Sequence, residues 1–279
     1  MGLYKKEKRE EQEIIEAEII IGEVKRIKQD QPRIGVRKLQ VLLQPELERH
    51  GIKAGRDRFF DLLREFGLLV KIKRYKHYTT DSKHMFYKYP NRLKEITATA
   101  PNQLWVSDIT YIETEGRYCY LFLITDAWSK KIVGWCLSQS YAVTGAIEAL
   151  NMALHHNKIT AGLLHHSDRG IQYCCKEYTM LLKKKKAMIS MTENGDPYEN
   201  AVAERVNGIL KTELLQQKYY DEQQAKKAIQ KAVIIYNTQR PHLSIGLLTP
   251  DQAHKQERTF KKLWKNYNQK QSAQSLIYV

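Results

Sequence analysis

The stretch LWVSDITYIETEGRYCYLFLITDAWSKKIVGWCLS, residues 104–138, decides the fold. Residues 104–113, LWVSDITYIE, alternate apolar and polar side chains and are rich in β-branched and aromatic types, which predicts a strand carrying Asp108. Residues 117–129 form a longer, more apolar run suited to a central strand, and Gly116 marks the hairpin turn before it. KIVGWCLS supplies a third strand. Residues 141–155 then read as a helix with Ala146, Ile147, Leu150 and Leu154 on one face, LLHHSD as a short buried strand ending at Asp168, and AMISMT as the last strand. Three antiparallel strands followed by helix–strand alternation predict an α/β fold, a mixed five-stranded sheet flanked by helices. Strand ends in such sheets present side chains to a shared crevice, so Asp108 and Asp168 meet if their strands are neighbours.

Downstream, Asn194-Gly195 signals a turn, and Asp196-Pro197-Tyr198-Glu199 reads as a capped helix start: Asp196 at the cap, Pro197 at the first position, Glu199 completing a capping-box-like pattern. Helical period aligns Asn200, Glu204, Asn207 and Lys211 on one side, with Glu204 about two turns in. A lone glutamate on a polar helix face is ordinarily a solvated surface charge. Glu193, Glu199 and Glu213 are neighbouring acids that spacing alone does not exclude. Three carboxylates gathered in one place repel one another at neutral pH, and a divalent cation relieves that repulsion. Oxygen-only ligands suit Mg²⁺ or Mn²⁺, and two ions roughly 3.5–4 Å apart can clamp both oxygens of a phosphodiester displacement.

Four stretches carry a family resemblance: PNQLWVSDITYI, HHSDRGIQY, SMTENGDPYENAVAERVNGILKTE and YNTQRPHLSIGLLTP. In this order, with 35 residues between Asp168 and Glu204, they resemble the insertion-sequence transposases of the retroviral-integrase superfamily, specifically the catalytic second-frame protein. The resemblance spans about residues 100–255, with a weaker helix-turn-helix-like match over about 30–70. It implies a ribonuclease-H-like core, and Asp108, Asp168 and Glu204 as catalytic and metal-binding residues for two Mg²⁺ (or Mn²⁺) ions. It also implies double-stranded DNA as substrate, cleaved and joined at element ends. It places Arg240 and His242 near the active site or the DNA; the local alternative is a structural turn held by Arg240. Two DNA ends held together imply at least a homodimer, and an upstream-frame DNA-binding protein of the same element is a further expected partner.

Composition agrees with a nucleic-acid partner. The chain has 279 residues, 42% hydrophobic, with a formal charge of +15, which favours a polyanion. No apolar run reaches the roughly 18 residues of a membrane span. Cys119, Cys136, Cys174 and Cys175 lack a C-x-x-C spacing and read as reduced thiols of a cytoplasmic protein.

The expected organisation is a helical N-terminal DNA-binding region (1–70), a basic aromatic linker (71–100), the catalytic core (101–218), and a helical and irregular C-terminal extension with a basic tail (219–279). Residues 4–29 form a charged helix whose apolar positions Ile14, Ile20, Val24 and Ile27 pack on the next helices or on a partner protomer. Gln31-Pro32 breaks it. A second helix carries Arg37, Lys38 and Leu39 and ends near His50-Gly51; a third runs from about Gly55 to Phe66, burying Phe59, Leu62, Leu63 and Phe66. Lys53, Arg56 and Arg58 cluster at its start, as on a recognition helix or simply as solvated charges of a helical hairpin. Residues 71–94 hold eight Lys/Arg, among them Lys71, Lys73, Arg74 and Lys76, against one Asp, with interleaved aromatics: a strap for phosphates and unpaired bases, or a plain linker. Asn200, Asn207, Lys211, Arg240 and His242 complete the candidate DNA contacts.

Rival motifs read as structural. Asp126, before Trp128-Ser129, suits a turn. The doublets His155-His156, His165-His166 and Cys174-Cys175 lack the gaps of zinc ligand pairs. Lys183–Lys186 closes a helix that begins near Lys176, where cations suit the C-terminus or reach DNA. Thr249-Pro250-Asp251-Gln252 starts another helix. Three other functions compete: a ribonuclease-H-like nuclease that cuts without joining, a retired transposase acting as a DNA-binding regulator, and an α/β enzyme with no nucleic-acid substrate.

Overall fold

The computed structural model describes residues 2–70, 85–157, 159, 162–193, 197–256 and 260. Lys71, Lys73, Arg74 and Lys76 of the expected strap, the Asn194-Gly195 turn, the Asp196 cap and the tail beyond 260 lie outside the described residues.

The N-terminal helices are α1 (Gly2–Asp30), α2 (Val36–Arg49) and α3 (Arg56–Glu65). Helix α1 stops where Pro32 removes a donor, and α2 stops at His50 with Gly51 at φ 65°, a left-handed conformation that glycine adopts without penalty. Ile20, Val24, Leu39, Leu43, Phe59 and Leu63 fill one shared apolar core. Two expected core positions do not join it. Phe66 is half exposed because it caps α3 rather than continuing its buried face, and Ile14 is exposed because the first half of α1 extends past the other two helices.

Strands β1 (Leu104–Thr114), β2 (Arg117–Asp126) and β3 (Ile132–Ser138) form the antiparallel meander; Gly116 at φ 79° makes the first turn. Helix α4 (Val143–His156) leads to β4 (Leu164–Ser167), and α5 (Ile171–Cys174) and α6 (Lys176–Lys184) lead to β5 (Met188–Met191). The sheet order is β3-β2-β1-β4-β5, with β4 parallel to β1 and β5 parallel to β4. A sixth, two-residue strand, β6 (Lys218–Tyr219), pairs with the far end of β1. This is a ribonuclease-H-like mixed sheet with helices on both faces.

Strand alternation sorts the side chains. Trp105, Phe122, Ile124 and Val133 face α4 and α6, while Ile112, Leu121 and Leu123 face the opposite side. That second face is covered by α7 (Ala201–Ile209) and α8 (Glu222–Thr238), through Val206, Ile209, Ile229 and Tyr236. Packing therefore continues across residue 218, and α8 is a layer of the core. Helix α9 (Pro250–His254) starts on Thr249 with the expected capping box and Pro250 at its first turn.

The entry to α7 departs from expectation. Pro197–Asn200 is a 3₁₀ turn, and α7 begins at Ala201, with Glu204 in its first turn. The Glu199 carboxylate accepts from the Glu193 amide at 2.7 Å and so ties the preceding loop to the helix entry. Helix α7 runs into a π turn over Leu210–Leu214.

Candidate active site

Asp108 lies in the middle of β1, not at its end, but at the point where β1 outruns its shorter parallel neighbour. Val106 pairs with His166, and β4 ends at Ser167. Asp168 follows directly on the end of β4, close enough for its charge to act on the Asp108 carboxyl. The Gly170 amide donates to Asp168 Oδ1 at 3.0 Å, which fixes that carboxylate in a tight turn.

Helix α7 supplies the other wall. Ala203 packs on Val106, which seats the first turn of α7 across β1. From there Asn200 Nδ2 donates to the Ser107 carbonyl at 3.0 Å, Asn207 Nδ2 to Asp108 Oδ2 at 2.6 Å, and Lys211 Nζ to Thr110 Oγ1 at 3.2 Å. Asn200, Asn207 and Lys211 of the aligned stripe thus lie along β1, while Glu204 is exposed. Asn200 and Asn207 are buried there, because the strand's polar groups need partners once the helix covers them. Read from the sequence as DNA contacts, they are buried against β1 and bond Ser107 and Asp108.

Burial pushes the Asp108 carboxyl up to about 7, and the neighbouring Asp168 charge pushes the same way. The hydrogen bonds from Asn207 and the Ile109 amide pull it down, and Glu204 adds a smaller upward push. Asp108 and Asp168 therefore form a repelling pair, with the exposed Glu204 acting on it from the side. Among the described residues no three His, Cys, Asp or Glu side chains stand together as a ready-made metal cluster. The pair fits a cation on its chemistry: two oxygen donors, one of them held far from its ordinary ionisation by burial and like charge.

The remaining candidates are placed as follows. Asp126 is fully buried and accepts from Asn102 N, Ser129 N and Ser129 Oγ, each at 2.7 Å, so it organises a turn. His165 points to the α6 side, bonding Ser107 Oγ and Tyr178 at 2.7 and 2.9 Å, while His166 points to Ser190 on the other side at 2.8 Å. Arg240 and His242, expected near DNA, are turned inward. Arg240 grips Glu213 with two 2.8 Å hydrogen bonds, and His242 bonds Ser244 at 2.8 Å. Burial raises the Glu213 carboxyl, but Arg240 and then Lys38 outweigh it and leave it below the usual carboxylate range. Sequence reading missed this contact because its groups lie on three separate elements. Lys53, Arg56 and Arg58 are exposed at the start of α3, with Arg56 paired to Asp57 and Arg58 to Glu16.

Comparison with known proteins shows the family. The integrase core domain family matches residues 98–197, and a second integrase core domain family matches 185–250. The chain is 38% identical over 211 residues to the insertion element IS600 31 kDa protein of Shigella sonnei, covering 75% of this chain and 78% of that one. It is 32% identical over 235 residues to the transposase for IS629 of the same organism, covering 84% and 78%. It also overlays on the HTLV-2 integrase catalytic core domain in complex with magnesium at TM-score 0.43 and 20% identity, over 56% of this chain and 97% of that one. With relatives this similar over most of both lengths, and a sheet of this order, the chain belongs to the insertion-sequence transposases of the retroviral-integrase superfamily.

Proposed function

We propose that the chain cleaves phosphodiester bonds at the ends of its element and joins the freed 3′ ends to target DNA, with Asp108, Asp168 and Glu204 as the catalytic acids. The observation that supports this reading is that β4 pairs with β1 and ends just before Asp168, and that burial and the Asp168 charge push Asp108 up to about 7. Both carboxylates would hold Mg²⁺ or Mn²⁺, and Glu204, exposed on the adjoining helix turn, would complete the shell. Such ions, two in the proposed scheme, supply Lewis acidity and lower the pKa of an attacking water. The chain's own part is orientation. Asn207 fixes one oxygen of Asp108 and the Gly170 amide fixes one of Asp168, so the carboxylates are aimed before DNA arrives.

The division into an N-terminal DNA-binding unit and a catalytic core belongs to the same proposal. Lys53, Arg56 and Arg58 would meet phosphates or base edges of an element end. A dimer is the smallest assembly that holds two ends, and the site of action is nucleoid DNA in the cytoplasm.

The test is end-labelled duplex carrying the element's terminal sequence, incubated with the full chain and Mn²⁺ or Mg²⁺. The expected products are a nick at the element end and a joined strand, both abolished by EDTA. Nicks without joined strands would reduce the chain to a nuclease, and metal-independent binding without cleavage would leave a DNA-binding regulator.

A further inference from the structure

Glu213 is the centre of a buried ion cluster that bridges the N-terminal helices and the sheet. It accepts from Arg240 Nε and Nη2 at 2.8 Å each, and from Lys38 Nζ at 3.0 and 3.1 Å. The Lys38 and Arg240 side chains are only 13% and 3% exposed. Arg33, just ahead of α2, donates to the Leu215 carbonyl at the end of the same turn.

That turn has an unusual geometry. The Leu215 amide donates to the Leu210 carbonyl at 2.8 Å, five residues back, so the helix is locally wider than an α-helix. Such turns are rare and concentrate at functional sites. One extra residue in a turn shifts everything after it by about 100° of helical phase. Asn207 and Lys211 lie on β1, while Glu213, two residues past Lys211 and so on the opposite side of the helix, faces Arg240 and Lys38.

We propose that Lys38 is a positioning residue: by closing the ion cluster on Glu213, the docked N-terminal helices hold the Leu210–Leu214 turn open and so keep Asn207 and Lys211 in register with Asp108 and Thr110. The N-terminal unit then sets the active site as well as meeting DNA. This rests on Asp108, Asp168 and Glu204 being the site, as proposed above.

The test uses the full chain with Lys38→Met, Lys38→Arg, and Asp30→Asn as control. Asp30 makes another ion pair across this junction, to Lys231 at 2.7 Å, and that pair is largely exposed. For K38M the expected result is a fall in kcat for nicking of about 10- to 100-fold, the size of a sub-ångström to ångström misplacement, with unchanged Kd for end DNA. Hydrogen exchange over residues 207–215 rises in K38M. K38R recovers most of both, and D30N changes neither. If K38M does not fold, Lys38→Gln removes the charge while retaining a donor to Glu213, and the same readouts apply. Wild-type kcat and wild-type exchange in the folded variant would overturn the proposal; so would a loss confined to Kd, which would make Lys38 a phosphate contact. If the wild type cleaves no end DNA, the catalytic reading fails, and the exchange measurement still decides whether Lys38 holds the turn.

Discussion

Asn207 Nδ2 donates to Asp108 Oδ2 at 2.6 Å, so the helix that carries Glu204 is pinned directly to the strand that carries Asp108. This bond lowers a carboxyl that burial and Asp168 raise. Replacing Asn207 by Ala removes the only described side-chain donor to Asp108 and leaves its ionised form less supported. In metal-free N207A the Asp108 titration midpoint, followed by carboxyl-carbon NMR, moves above its wild-type position near 7. A midpoint at or below wild type would mean the bond does not support the carboxylate.

The like-charged pair predicts that the site destabilises the metal-free fold. An acid raised from its ordinary 3.8 to about 7 stays protonated in the folded chain and ionises in the unfolded one between those values. Stability therefore falls as pH rises from about 4 through 7 on account of this group. In EDTA at pH 8, Asp108→Asn should melt above the wild type. Adding Mg²⁺ should raise the wild-type Tm and leave D108N nearly unmoved, since a ligand stabilises only the state that binds it. Thermal melts of the two chains, with and without Mg²⁺, check both arms; a wild type indifferent to Mg²⁺ would contradict them.

Acid acts in the opposite sense through buried histidines. Burial holds His165 and His242 down to about 3, while in the unfolded chain they take up a proton near 6.5. Their contribution is complete above about 6.5 and is lost as pH falls toward 3. Between pH 5 and 6 the slope of unfolding free energy against pH should drop by about one proton in His242→Gln. Denaturant melts at a series of pH values measure it, and an unchanged slope would place the His242 ring in contact with water.

Packing between sheet and helix gives a prediction away from the chemistry. A Cβ added at Gly134 on β3 would overlap the Ala149 carbonyl and come within 2.9 Å of Ala153 Cβ, both on α4. Backbone cannot yield as a flexible side chain does, so Gly134→Ala should cost about 1–3 kcal/mol of stability. Chemical denaturation checks this, and a loss below about 0.5 kcal/mol would mean α4 shifts freely.

How far these features were legible depends on the range over which each is encoded. The meander was readable because alternation at Trp105, Ile109, Phe122 and Ile124 is local, and turn glycines such as Gly116 punctuate it. The meeting of Asp108 and Asp168 followed from strand order and needed only that β1 and β4 be neighbours. The register that places Asp108 in mid-strand did not, because it depends on how far β4 extends. Asn200, Asn207 and Lys211 aligned correctly on one side of a helix, yet periodicity does not say whether a polar stripe faces water or a polar strand. Arg240, Glu213 and Lys38 come from elements far apart in sequence and met only on folding. The same holds for Phe66 and Ile14, whose exposure reflects where neighbouring helices end.

The most direct measurement is single-turnover nicking of labelled element-end DNA by purified Asp108→Asn, Asp168→Asn and Glu204→Gln, each checked for wild-type folding and DNA affinity. The account predicts that all three bind DNA as the wild type does and cut it at least about 1,000-fold more slowly, as expected when a group essential to transition-state stabilisation is removed. Wild-type cutting by any one of them would contradict the role assigned to that carboxylate, and wild-type cutting by Asp108→Asn or Asp168→Asn would remove the centre of the proposed site.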